Sequence, residues 1–335
     1  MKAKIATRYL QERTNLSTVI PLETPFLVFV DPSSRCNFAC QFCPCGNAHK
    51  DRWREGRTAD TMSLELFKKI IDDLKDFPDP IKTLRLYKDG EPLLNKHLPN
   101  MIRYARKQNY IDRIDFTTNA SLLNNELSLN LLDAGLTRII ISVEALSAEG
   151  YKEVSGVKID FQKFRDNIAY FYKNRGDCVV FIKINDLGLK GENEKFFELF
   201  GDMCDEIAIE SVSPSWPNFD ISEIKSDFGS NIYGSSDLRE LLVCPFIFYS
   251  ICVNSNGMVS ACFSDWNHEL LMGDIQKQSL REVWNGEQMN HLRRQMLEGR
   301  RSQIDVCNHC GQMKYCAIDS IDDTRDILLK KFLEK

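Results

Sequence analysis

From Phe26 onward, two hydrophobic periods alternate along the chain. Short apolar runs of strand length at 26–30, 82–87, 111–117, 138–143, 179–184 and 207–209 are separated by stretches whose apolar residues recur every three or four positions. After Ser63, which can cap a helix, Leu66, Phe67, Ile70, Ile71 and Leu74 share one face, and Pro78 and Pro80 end the element. The same helical spacing returns in Leu98, Met101, Ile102 and Ala105, in Leu127, Leu131 and Leu132, in Phe161, Phe164, Ile168 and Phe171, and across 196–203. Six such alternations predict an α/β fold of parallel strands joined by helical crossovers, as an open doubly wound sheet or as a barrel. Periodicity alone does not choose between them.

The alternation stops at 211–240, which is rich in Ser, Asn, Asp, Gly and Pro with Trp216, Phe219, Phe228 and Tyr233 interspersed. This stretch reads as a long connection, either a linker pinned by its aromatics or a lid. Strand-like runs at 250–254 and 258–262 then flank Asn256-Gly257, a strong hairpin signal. A further run follows at 271–275, and Ser279 opens an amphipathic helix expected to continue to about residue 297. The tail at 318–335 reads as a charged helix with Ile321, Leu328 and Phe332 on one side, expected to pack on the exterior of the α/β domain. The chain therefore divides into an extension (1–25), an α/β domain (26–210), a connection (211–240), a cysteine-rich domain (241–317) and a terminal helix (318–335).

Composition narrows the class. Among 335 residues, 43% are hydrophobic and 27% charged, as in ordinary globular proteins. A net charge of −5 with no long basic block gives no electrostatic footprint for nucleic acid, so a small molecule or a peptide is the expected partner. Twelve cysteines accompany an amino-terminal stretch with no signal-peptide core, which points to a reducing, cytoplasmic compartment. No apolar run approaches the about 18 residues needed to span a bilayer, so no membrane association is expected.

The chemistry is concentrated in cysteines. Cys36, Cys40 and Cys43 follow the first strand closely enough to reach one metal centre from one loop. Three thiolates on a four-iron cluster leave one iron open, an arrangement suited to binding a reactant. Zinc is the alternative, with Cys45 supplying a fourth sulfur; otherwise Cys45 is a bystander. With Phe42 inside it, the run Cys36-Asn37-Phe38-Ala39-Cys40-Gln41-Phe42-Cys43 resembles the signature of radical S-adenosylmethionine (SAM) enzymes. That resemblance implies a partial (β/α)6 TIM-like barrel and a [4Fe–4S] cluster whose open iron chelates SAM. One electron then cleaves SAM to a 5′-deoxyadenosyl radical.

Further motifs fall at the carboxyl ends of predicted strands, where such folds place ligands. Asp89-Gly90-Glu91-Pro92 is similar to the family's Gly-Gly-Glu, with aspartate in place of the first glycine. Thr117-Thr118-Asn119-Ala120 is similar to its Thr-Asn-Gly, and Ser142-Val143-Glu144 to its Ser-Leu-Asp. By resemblance, Gly90 and Glu91 read the SAM amino group, Asn119, Ser142 and Glu144 contact SAM elsewhere, and the backbone beside Phe42 meets the adenine.

Cys244 and Cys262 are separated by 17 intervening residues, the hairpin turn among them, and Cys307 and Cys310 form a CxxC. A CxxC partnered with two distant cysteines is a strong metal signal. With Gly273-Asp274-Ile275 and the Ser279-Leu280-Arg281-Glu282-Val283-Trp284 helix, the region resembles the SPASM and shortened twitch auxiliary-cluster domains. Cys316 fits the next position of the full SPASM pattern, but Ser320 occupies the one after. The resemblance therefore implies one auxiliary [4Fe–4S] cluster on Cys244, Cys262, Cys307 and Cys310. Cys252 reads as a small apolar strand residue or, in an epimerase, as a hydrogen-atom donor. His309 and the other four histidines read as structural or solvent-facing.

These readings converge on a radical SAM oxidoreductase taking hydrogen from an unactivated carbon. The auxiliary cluster either accepts the resulting electron or binds and tunes the substrate. Electron acceptance makes the net reaction a two-electron oxidation, and a single twitch-like cluster resembles dehydrogenases of cyclitol- and carbohydrate-like substrates. A flavodoxin- or ferredoxin-type reductant is implied. The alternatives are peptide modification or epimerisation, for which the 25 residues before the first strand are few for a leader-binding domain, and a non-catalytic iron–sulfur or zinc-binding protein.

Overall fold

The computed structural model describes residues 1–7, 13–46, 51, 53–54, 57–224, 226 and 228–334. Its strands are β1 (Lys4–Ile5), β2 (Leu27–Val30), β3 (Thr83–Arg85), β4 (Ile114–Thr118), β5 (Arg138–Val143), β6 (Val179–Asn185), β7 (Glu206–Glu210), β8 (Ser250–Val253), β9 (Met258–Ser260) and β10 (Leu271–Asp274). They form one ten-stranded sheet in the order β1-β7-β6-β5-β4-β3-β2-β8-β9-β10. The six expected strands, β2 to β7, are consecutive and parallel. Both faces of β5 are covered, as parallel strands require. Ile139 and Ile141 join the main core, while Ile140 packs with Phe181 and Ala208 in a separate cluster.

The crossovers are α1 (Leu64–Asp73), α2 (Leu98–Arg106), α3 (Asn125–Asp133), α4 (Ala148–Ser155), α5 (Phe161–Asn174) and α6 (Asn193–Phe200). Ser63 caps α1, its side chain accepting from the Leu66 amide at 3.1 Å. Phe164, Ile168, Phe171, Phe196 and Phe200 turn inward from α5 and α6.

Both ends of the sheet depart from the sequence expectation. The extension contributes β1, a two-residue strand parallel to β7 and too short to carry a period. At the other end, the hairpin of the cysteine-rich region extends the barrel sheet: β8 pairs in parallel with all four residues of β2, and β9 and β10 follow antiparallel. Gly257 turns the hairpin at φ +88°, where a side chain would be strained.

The helix expected from Ser279 to 297 is two helices, α7 (Leu280–Asn285) and α8 (Glu287–Leu297). Gly286 between them is extended, and a Cβ there would lie 2.8 Å from the Glu282 carbonyl oxygen. The terminal helix α9 (Arg325–Leu333) buries Leu328 and Phe332. Its expected place on the barrel exterior is corrected: α9 packs on α8, and Phe332 meets Phe248 edge-on, 5.9 Å between centroids. Among the described residues, no helix is long and apolar enough to cross a membrane.

Candidate active site

The loop after β2 carries Cys36, Cys40 and Cys43 to the carboxyl end of the sheet. The Cys43 amide donates to the Cys40 carbonyl at 3.2 Å, and the Phe38 amide lies 3.4 Å from Cys36 Sγ. Burial pushes the Cys36 thiol up to about 12 and that of Cys40 well above its usual range, with Glu144 adding repulsion at both. Thiols held this way need a positive centre to ionise them, and a bound metal supplies one. Phe42 packs between the main core and an apolar cluster containing Cys45, Val212, Phe219, Ile221, Ile224 and Trp266. Val212, Phe219, Ile221 and Ile224 of the connection therefore lie against the cysteine loop. Trp266 holds the connection there, donating from Nε1 to the Pro217 carbonyl at 2.8 Å.

Gly90 sits where backbones nearly touch, since a Cβ there would fall 2.2 Å from the carbonyl oxygens of both Ser33 and Arg35. Beside it, the Glu91 amide donates to the Arg35 carbonyl at 2.8 Å. The Glu91 carboxylate accepts from the Leu93 amide (2.9 Å), the Thr118 hydroxyl (2.6 Å) and the Asn119 amide (2.8 Å). Glu91 thus ties the β3 and β4 ends together, while burial raises its pKa to about 7. Thr118, not singled out from sequence, is part of this knot. Asn119 in turn donates to Asn37 Oδ1 at 2.9 Å, inside the cysteine loop.

Ser142 is part-buried near the end of β5, opposite Lys183 on β6. Glu144 is buried just beyond, with Asn185 donating to it at 3.4 Å; burial raises its pKa to about 7 against the pull of Lys183. Phe42, Gly90, Glu91, Asn119, Ser142 and Glu144 thus lie in the cysteine loop and at the carboxyl ends of β3, β4 and β5, beside Cys36 and Cys40.

The second thiol set is separate. Cys244, Cys262, Cys307 and Cys310 line one cleft, walled by apolar residues such as Phe246, Ile247, Leu270 and Met313. Burial raises the pKa of each thiol, to about 12 for Cys262 and about 11 for Cys310; repulsion from other thiols of the set adds to it at Cys244, Cys262 and Cys307, and repulsion from Cys316 at Cys310. Arg301, donating to the Cys307 carbonyl at 2.8 Å, opposes that rise at Cys307 and Cys310. Cys316 is near Cys310 but does not line the cleft. Among the described residues, no three thiols, imidazoles or carboxylates converge tightly enough to hold a single metal ion, whereas a four-iron cube accepts thiolates set wider apart.

Cys252 is fully buried on β8, paired across to Phe29, and faces Cys262 and Lys88. Between the two thiol sets lies a group of buried charges of which the sequence reading marked only Asp89. Lys88 Nζ donates to both Asp89 oxygens and to the Asp265 carbonyl, each at 2.9 Å. His268 Nε2 is 2.7 Å from Asp89 Oδ2, Arg57 Nη2 is 3.7 Å from the same oxygen, and Cys45 Sγ is 3.9 Å from Oδ1. Burial opposes the Asp89 charge, but Lys88, His268 and Arg57 outweigh it and hold the carboxyl below its usual range. The signal that marks this group in sequence is charge at apolar strand ends, Asp31 after Val30 and Lys88-Asp89 after Tyr87.

Residues 30–203 match the family model of the radical SAM superfamily. The chain belongs to that superfamily. Residues 244–311 match a second model, the SPASM iron–sulfur cluster-binding domain. This radical SAM enzyme is 24% identical over 291 residues to the S-adenosyl-L-methionine-dependent 2-deoxy-scyllo-inosamine dehydrogenase of Niallia circulans, across 86% of this chain and 93% of that one. Its fold is similar to that of BtrN in complex with AdoMet and 2-DOIA (TM-score 0.56, 19% identity, 88% and 96% of the chains covered). It is also similar to Streptococcus suis SuiB bound to the precursor peptide SuiA (TM-score 0.59, 16% identity, 92% and 74% covered). The radical SAM and SPASM domains bring SAM, a [4Fe–4S] cluster and auxiliary iron–sulfur chemistry to this enzyme.

Proposed function

We propose that this enzyme oxidises a secondary alcohol on a small cyclitol- or carbohydrate-like molecule to a ketone. The observation that supports this most directly is the pairing of two thiol sets across a buried charged core: three cysteines at the mouth of the sheet, and four lining one apolar cleft behind β8. The full-length similarity to a cyclitol dehydrogenase points the same way.

Cys36, Cys40 and Cys43 would hold the SAM-binding cluster, which when bound supplies the radical that takes a hydrogen atom from the substrate carbon. Gly90, Glu91, Asn119, Ser142, Glu144 and the backbone at Phe42 would position SAM beside it. Converting H–C–OH to C=O removes one hydrogen atom, one proton and one electron. Cys244, Cys262, Cys307 and Cys310 would hold one auxiliary [4Fe–4S] cluster, a one-electron acceptor in character. Cys252 is then a packing residue, and Cys45 and Cys316 are not ligands. A flavodoxin- or ferredoxin-type protein would supply the initiating electron.

The test is anaerobic incubation of reconstituted protein with SAM, dithionite and 2-deoxy-scyllo-inosamine or related cyclitols. One ketone per 5′-deoxyadenosine supports the reading. Production of 5′-deoxyadenosine with no cyclitol oxidised, alongside a cross-linked or epimerised peptide, replaces it with the peptide-modifying one. Iron content gives an independent check: about eight irons per chain, falling to about four when Cys36, Cys40 and Cys43 are replaced by alanine and unchanged in Cys316→Ala.

A further inference from the structure

Asp31 leaves the end of β2 and enters the buried charge cluster between the two thiol sets. Its side chain is fully buried, yet neither carboxylate oxygen meets a hydrogen-bond donor in good geometry, the Asp89 backbone giving only a weak polar contact. The neighbouring Asp89 is the opposite case, engaged by Lys88, His268 and Arg57. Arg57 is unfilled in a complementary way. Its Nε donates to the Trp266 carbonyl at 2.5 Å and its guanidinium stacks 3.8 Å from the Trp53 ring centre. Nη1 and Nη2 are buried with no hydrogen bond, although Nη2 is 3.7 Å from Asp89 Oδ2.

Leaving such groups unmet is costly, more so when they are charged, so buried ones are nearly always satisfied. Here an acceptor carboxylate and a donor fork lie unsatisfied in one cluster, beside a satisfied Lys88–Asp89 pair that holds Arg57 by charge. A hydroxyl group both donates and accepts, and neighbouring hydroxyls, or a hydroxyl beside an amine, can satisfy both residues at once. An apolar side chain of a peptide meets neither need.

We propose that Asp31 and Arg57, backed by Lys88, Asp89 and His268, form the docking site for the polar face of the substrate, a small ring bearing adjacent hydroxyl or amino groups. The assignment rests on the polyol chemistry proposed above and adds the residues that recognise it. Asp31 accepts from a hydroxyl or ammonium group of the ring, and Arg57 donates from Nη1 and Nη2 to a neighbouring oxygen. The two act as specificity-determining residues. Their place is between the carboxyl end of β2, whose loop bears Cys36, and the loop that leaves Cys262.

The experiment is calorimetric titration of anaerobic, cluster-loaded, SAM-saturated holoenzyme with 2-deoxy-scyllo-inosamine, scyllo-inositol and, as a single-hydroxyl control, cyclohexanol. Wild type is compared with Asp31→Asn and Arg57→Lys at matched iron content. KM and kcat are measured for whichever cyclitol turns over. The expected result is that a cyclitol binds wild type, cyclohexanol does not, and each substitution weakens binding at least tenfold with KM rising more than kcat falls. Cyclitol turnover by wild type with unchanged affinity and KM in both variants would overturn the docking assignment and leave the oxidation reading standing. A wild-type protein that neither binds nor oxidises any cyclitol overturns both. If Asp31→Asn fails to load iron, Arg57→Lys carries the test alone.

Discussion

At the scale of single residues, the centre of the molecule is defined by unequal treatment of two carboxylates. Asp89 is surrounded by Lys88, Arg57 and His268 and is held charged. Asp31 is raised to about 7, first by burial and then by repulsion from Asp89, with Lys88 and Arg57 only partly offsetting these. The folded chain therefore retains a proton on Asp31 that the unfolded chain, at an ordinary 3.8, has released. The stability this contributes is full below 3.8 and is lost as pH rises through about 7. For cluster-free protein, urea unfolding at pH 5.5 and pH 8 should show wild type losing about 2 kcal/mol more across that interval than Asp31→Asn. Equal slopes would mean that Asp31 is solvated or paired. Glu91 and Glu144 are also raised to about 7, so the wild-type slope contains their contributions and only the difference isolates Asp31. In the sequence only a charge at an apolar strand end hints at Asp31, as at many loop aspartates; that it is buried among other charges is not legible locally, because those neighbours arrive from elsewhere in the chain.

At the scale of elements, local chemistry was a good guide wherever a side chain meets its own backbone. Ser63 caps α1, and Ser279 and Glu282 form a reciprocal capping box on α7, the Ser279 amide donating to Glu282 at 2.7 Å and the Glu282 amide to Ser279 at 3.2 Å. Ser279→Ala should cost about 1 kcal/mol, read as a lower urea midpoint with unchanged m-value. A value near zero would mean that the buried Leu280, Val283 and Trp284 hold α7 without its cap. Hydrophobic period was less reliable at breaks. It ran on through Gly286, because the apolar stripe resumes on α8 after the glycine has changed the backbone direction. It also placed α9 on the barrel, since a period identifies a buried face and says nothing of what covers it.

For the whole molecule, the decisive contact is β8 on β2. Val28 and Val30 are fully buried, and the ladder partners of β2 are β3 on one side and β8 on the other. The two matched family regions therefore share one hydrogen-bonded sheet, and the cluster-free chain should unfold in a single cooperative transition by circular dichroism and tryptophan fluorescence. Two separated transitions would contradict this. A chain ending at residue 240 should be insoluble, having bared a central strand as an edge.

The sequence by itself determined the six parallel strands and their crossovers, the two thiol sets and the superfamily, because periodicity, capping and cysteine spacing are local and act between near neighbours in the chain. Tertiary structure alone decided that β1 and β8 extend the sheet, that Thr118 and Asn119 are tied to Glu91, and that Asp31, Arg57, Lys88, Asp89 and His268 meet between the thiol sets. These strand ladders and ion pairs join residues some two hundred positions apart, and no period in the chain encodes which partners they choose.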